Sequence, residues 1–430
     1  MLGAFAAAFR TPDLRKKLLF TLSIIALFRI GSVLPTPGVS YTAVQSCIDQ
    51  VQDNSIYGLI NLFSGGALLQ LSIFALGIMP YITASIIVQL LGVVIPRLES
   101  LKKEGQAGQA RITQYTRYLT IGLAVLQSTT IITLARTPGR LFSGCNEQLV
   151  PAQDLPLLVT MVLIMTAGTG LIMWLGELIT DRGVGNGMST LIFTSIISSF
   201  PGQLSSIWRI DGSMKFLLTI AVGLVTIAAV VFVEQAQRRI PVQYAKRMVG
   251  RKEYGGTSTY LPIKVNQAGV IPVIFASSLL YLPSLIVQLT GSQASWAQWI
   301  STYMDTGRPA YLILNFLLIV FFTYFYVSIT FNPVEVADDM KKYGGFIPGI
   351  RAGKPTSDYL QYVINRITLP GAMYLALVAT IPYIAFDILG VGQRFMFGGT
   401  SLLIMVGVGL DTVKQIESQL QQRNYEGFLR

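Results

Sequence analysis

Histidine is absent from all 430 residues, and cysteine occurs only twice. Without imidazole there can be no Ser-His-Asp triad and no H-E-x-x-H zinc site, and two distant cysteines make no C-x-x-C redox pair. Charge is scarce as well. Only 12% of residues are Asp, Glu, Lys or Arg against 52% hydrophobic, and the mean hydropathy is +0.57. Length alone would suggest about three soluble domains, but this composition overrides that prior and points to a polytopic, all-α membrane protein.

What is present is a succession of apolar runs. Arg10, Arg15, Lys16 and Lys17 precede the first, as in a signal peptide. That run contains Arg29 and is followed by no small-residue cleavage site, so it is expected to stay as a span. Ten spans are predicted near 18–35, 72–95, 117–136, 155–175, 188–206, 215–233, 268–290, 310–331, 371–388 and 395–411. An even number puts both termini on one side. The loops on that side hold 25 Lys and Arg residues and those on the other hold six, with Arg29 inside a span. The positive-inside rule therefore predicts cytoplasmic termini.

Seven basic residues fall in one predicted cytosolic loop, "RRIPVQYAKRMVGRKEYGGTSTYLPIK", namely Arg238, Arg239, Lys246, Arg247, Arg251, Lys252 and Lys264. Topology and lipid headgroups explain part of such a cluster. An electrostatic dock for a large partner, ribosomal RNA or an acidic protein, explains the excess. The loop "NPVEVADDMKKYGGFIPGIRAGKPTSDYLQYVINR" projects from the same face, so the two suggest a platform. Cys47 and Cys145 both fall on the opposite, oxidising side, where either a disulfide or two free thiols would fit.

Inside the spans the sequence lacks the ionisable groups that pumps and proton-coupled transporters need. Glu177 and Glu234 sit at span ends, as suits the interface, and no lysine falls mid-span to serve a Ser-Lys dyad. Asp387 and Asp411 lie near the ends of the last two spans, on opposite predicted sides. No catalytic set is evident. Gly122, Gly168, Gly170 and Gly223 fit close helix packing. Less ordinary is "SIFALGIMPYITASIIVQLL", a charge-free run carrying Gly77 and Pro80, preceded by the shorter "NLFSGGALLQ". A broken helix in lipid is tolerated where it lines a cavity.

These two stretches, together with "MWLGELITDRGVGNGMS", "FNPVEVADDMKKYGGFIPGIRAG" and "FGGTSLLIMVGVGLD", resemble the SecY/Sec61-alpha family of protein-conducting channels, bacterial in type, from about residue 10 to 427. The resemblance implies two pseudo-symmetric five-helix halves, 1–206 and 207–430, around a central pore with a plug and a lateral gate. The short helix near 56–67, with Asn61, Phe63, Ser64, Gly65 and Gly66, is similar to the family's plug. The constriction would be a ring of Ile78, Ile82, Met188, Ile192, Ile274 and Ile404, an apolar collar that dewets and blocks ions yet parts around a polypeptide. Methionine at 188 departs from the usual branched residue, and its flexible thioether should still seal. Any one of these aliphatics, taken alone, would read as packing filler.

Gln89 and Asn266 resemble the polar cluster of the lateral gate, where a bond between helices would favour closure; simple helix adhesion is the alternative. Arg238, Arg239, Lys246, Arg247 and Arg351 match the family's docking loops for the motor ATPase and the ribosome. The implied function is passage of unfolded preproteins across, and insertion of membrane proteins into, the bacterial plasma membrane. The implied partners are the SecE and SecG small subunits, the SecA motor, the ribosome, signal sequences and nascent or unfolded preproteins, the lipid bilayer and YidC. No cofactor is expected, and with no G-x-x-x-x-G-K-[ST] loop any ATP is hydrolysed by a partner. A secondary transporter for a small solute is the competing class, disfavoured by the missing intramembrane acids and the oversized basic loops. An intramembrane enzyme lacks a nucleophile and a base.

Overall fold

A computed structural model describes residues 9, 11–50, 64–137, 145, 147–151, 154–210, 212–244, 247–249, 252–254, 258–290, 295–304, 308–390 and 399–427. Ten helices overlap the ten expected spans: α1 (Pro12–Val33), α3 (Met79–Val94), α5 (Gln106–Arg136), α6 (Leu155–Arg182), α7 (Gly187–Ile210), α8 (Gly212–Gln235), α9 (Ile271–Thr290), α11 (Pro309–Thr330), α13 (Lys354–Ile388) and α14 (Gly399–Gly427). Four shorter ones accompany them: α2 (Tyr41–Gln50), α4 (Pro96–Lys103), α10 (Ser295–Tyr303) and α12 (Pro333–Lys342). By length and composition alone, five helices among the described residues can cross a membrane, or six if the bent α3–α4 pair counts as one. Others are broken by proline or turns, or run on into charged ends.

The second span shows such a break. Helix begins only at Met79, not at residue 72, with Pro80 in its first turn where a missing N–H is harmless. Residues 73–78 are a chain of turns, and Gly77 takes a left-handed φ of +57°. The remaining 16 residues are ~24 Å long, short of a bilayer core. At the other end the chain bends by 103° into α4.

The segment around residues 67–75 is held firmly. Thr36 N–H donates to Leu71 O at 3.0 Å and Ile73 N–H to Leu34 O at 3.0 Å. Leu68, Leu71 and Ala75 pack in one buried cluster with Val44, Met161 and the disulfide joining Cys47 to Cys145, whose Cα atoms are 5.5 Å apart. The pairing that the sequence left open is thus made, beneath side chains that exclude solvent.

The basic loops are not wholly irregular. β1 (Gln237–Tyr244) pairs antiparallel with β4 (Ser258–Lys264), and β5 (Gly345–Phe346), from the second long loop, adds to the other edge of β1. β2 (Arg247–Val249) and β3 (Lys252–Tyr254) pair in the same hairpin. Ile240, Ile263, Ile347 and Leu360 form a buried cluster under this sheet. The two projecting loops are therefore one structure, a small sheet added to a helical fold.

Candidate functional site

The helices bring the six expected collar residues into one continuous apolar cluster. Ile78 and Ile82 flank the first turn of α3, Met188 and Ile192 lie a turn apart at the start of α7, Ile274 is in the first turn of α9 and Ile404 near the start of α14. Ile78, Ile82, Ile192, Ile274 and Ile404 are between 0% and 9% exposed, and half-buried Met188 packs against them. Four helices far apart in sequence thus deliver aliphatic side chains to one place.

The glycines of "MWLGELITDRGVGNGMS" explain how Met188 gets there. A side chain on Gly187 would overlap the backbone carbonyl of Gly176, and one on Gly176 would strike the Met188 thioether. Thr180 Oγ1 accepts from Gly187 N–H at 2.9 Å and donates to Gly176 O at 3.0 Å. Two bare backbones and one hydroxyl therefore fasten the start of α7 onto α6.

Of the plug residues, Asn61 and Phe63 lie outside the described residues. Ser64 Oγ accepts from Leu68 N–H at 3.1 Å, and Gly65 and Gly66 both have left-handed φ. Arg29 stands out in the sequence only as an isolated mid-span charge. Its Nη1 donates to Gly65 O and to Ser198 Oγ, each at 2.9 Å, binding α1 to α7 and to the glycine pair at 65–66. The requirement that an intramembrane cation find acceptors was the available signal. Glu177, expected at an interface, receives a two-pronged ion pair from Arg117 with both hydrogen bonds at 2.8 Å.

The gate residues do not bond as expected. Gln89 is exposed and its Nε2 donates along its own helix to Ser85 Oγ at 3.3 Å. Asn266 is 3% exposed and donates to Glu234 Oε2 at 2.9 Å and to Gly269 O at 3.1 Å. The expected bond across the seam is replaced by one to a buried acid, because the turn at Gly269 aims Asn266 at the end of α8. Gln89 instead borders a cleft of about 340 Å³ with Lys102, Gln109, Ile112, Tyr326 and Thr330, between α3, α4, α5 and α11.

Arg238 and Arg239 stand exposed on β1, and Arg351 is exposed beyond β5. Arg247 lies in β2, and Lys246 lies outside the described residues.

The SecY family model matches residues 72–413. The chain belongs to the SecY family. A protein translocase subunit SecY of Streptomyces scabiei is 67% identical over 438 residues, covering 100% of both chains. Among solved structures, one described as a protein-conducting channel aligns with a TM-score of 0.65 at 18% identity, covering 94% of this chain and 91% of that one. Sec61 from a canine ribosome–channel complex of the endoplasmic reticulum aligns with a TM-score of 0.61, also at 18% identity, over the same shares. The protein is therefore a translocase channel subunit of the membrane and not an enzyme, which removes the transporter and protease readings.

Proposed function

We propose that this chain passes unfolded preproteins across the bacterial plasma membrane and releases apolar segments into lipid between α3 and α9. The observation that carries this reading is the gathering of Ile78, Ile82, Met188, Ile192, Ile274 and Ile404 into one buried cluster from four helices. Such a collar excludes ions at rest, and its rotatable side chains part around a chain of any sequence. The segment ending at Gly66 acts as the plug, with Arg29 as its anchor on the bundle. The boundary between the two halves, 1–206 and 207–430, falls in the last turn of α7.

Both termini are cytoplasmic in this reading. The excess of basic residues on that side supports it, as does a disulfide in the loops of the opposite side, where thiols are oxidised. The basic sheet is the dock for the ribosome and the SecA motor, with SecE and SecG as membrane partners, YidC receiving inserted segments, and Arg238, Arg239, Lys246, Arg247 and Arg351 as contacts. The canine neighbour described with a ribosome supports the first of these partners.

The test is a photocrosslinking residue at Ile404 in membranes supplied with the motor and a precursor arrested midway through export. A crosslink requiring both precursor and ATP is expected. Its absence, with uptake of a small solute by the reconstituted protein, would overturn the reading.

A further inference from the structure

The hairpin β1–β4 leaves the membrane from the end of α8 and returns to it at the start of α9, and its root is closed by a buried polar pair. Gln237 is paired with Lys264 at the base of the ladder, Val265 N–H donates to Ala236 O at 3.0 Å, and Asn266 donates to Glu234 Oε2 at 2.9 Å. Glu234 is 6% exposed and Asn266 3%. Taking a carboxylate out of water is unfavourable, and adhesion between α8 and α9 alone needs no charge. Asn266 Oδ1 is buried without a hydrogen-bond partner among the described residues, so the amide is held from one side only.

What lies on either side of this root gives it a purpose. Outward, Arg238 and Arg239 begin two residues after the root's first strand-side contact at Ala236. Inward, Asn266 also donates to Gly269 O at 3.1 Å, and the turn there feeds directly into α9, whose first turn carries Ile274. A second tie runs from Lys264 Nζ to Asp411 Oδ1 at 3.8 Å, reaching α14, the helix that carries Ile404. Both charges of that second tie are substantially exposed, so solvent screens it and the buried pair is the stiffer connection.

We propose that Glu234 is a positioning residue which, through Asn266, couples a load on the β1–β4 hairpin to displacement of the gate helix α9. The proposal rests on the reading of this chain as a channel docked at that hairpin. A partner seated on Arg238 and Arg239 pulls on both strands, and the Glu234–Asn266 bond makes the start of α9 move with them. Without the bond, the hairpin can still bind while the gate ceases to follow.

The experiment uses the full chain with its small membrane subunits in vesicles of phosphatidylethanolamine and phosphatidylglycerol. The probe is purified bacterial ribosomes stalled with a nascent apolar segment. Co-flotation measures docking, and halide efflux with crosslinking at residue 404 measures opening. In Glu234→Ala, docking stays within about twofold while ribosome-dependent efflux falls about tenfold, the range of a typical coupling energy. Glu234→Gln, which keeps an acceptor of the same shape, falls between, and decides the matter if the alanine variant does not fold. Docking and efflux falling in parallel would show that Glu234 merely helps the hairpin fold, and unchanged efflux in both single variants would show no coupling; either overturns the proposal. Parent protein that docks ribosomes but gives neither efflux nor crosslink would overturn the channel reading itself.

Discussion

The two ends of the helical bundle are held together by different chemistry. At one end, Cys47 and Cys145 are covalently joined inside a cluster of Val44, Leu68, Leu71 and Met161. At the other, β1, β4 and β5 are joined by backbone hydrogen bonds over Ile240, Ile263 and Leu360, and are tied to the helices through Val265, Asn266 and Lys264. A disulfide does not release under load, whereas the ties at the sheet end are non-covalent, each worth about 1–3 kcal/mol, and can break and re-form. The difference is that the end carrying the basic sheet, with Arg238 and Arg239 exposed on β1, is the end built reversibly. The stapled end supplies a fixed frame for the segment carrying Leu68, Leu71 and Ala75.

Removing the staple should have the largest effect. Cys47→Ser with Cys145→Ser opens a connection spanning 98 positions, and a loss of about 2–4 kcal/mol is expected. Thermal unfolding in detergent, with and without reductant, checks it: the parent should be lowered by reductant and the variant should not. Ribosome docking should be unaffected in both, and a joint loss would show that the two ends are not independent.

A smaller loss is expected under the sheet. Ile240 is 2% exposed at the centre of its cluster, and Ile240→Val should lower stability by about 0.5–1.5 kcal/mol. Hydrogen exchange should show faster opening of β1 and β4 while the amides around Cys47 and Cys145 keep their protection. Equal loosening at both ends would contradict the comparison.

The same contrast explains what could be read from the sequence. Apolar runs marked where the ten helices lie, and motif context, not hydropathy, singled out the aliphatic residues that the structure gathers into one buried cluster. The sheet was not legible, although Ile240 and Val242 alternate with exposed Arg239, Pro241 and Gln243. Pro241 and Pro262 weaken a strand assignment, and they are tolerated here in a short sheet of three strands. The start of α3 lies later than hydropathy places it because residues 72–78 are as apolar as the helix they precede, and hydropathy does not see a left-handed glycine. Partners of Arg29 and Asn266 were out of reach because Ser198 and Glu234 meet them only once the helices pack.

The smallest effect on stability should accompany a large one on docking. Arg238 and Arg239 are exposed on β1, so Arg238→Glu with Arg239→Glu should leave unfolding within about 0.5 kcal/mol of the parent. If both arginines neutralise ribosomal phosphates, the slope of log affinity against log salt should become shallower by about two, one for each phosphate left without its cation. Measuring ribosome co-flotation from low to physiological salt tests this directly. An unchanged slope would move the dock to the loop carrying Arg351, and the reversible fastening of the hairpin would then need another explanation.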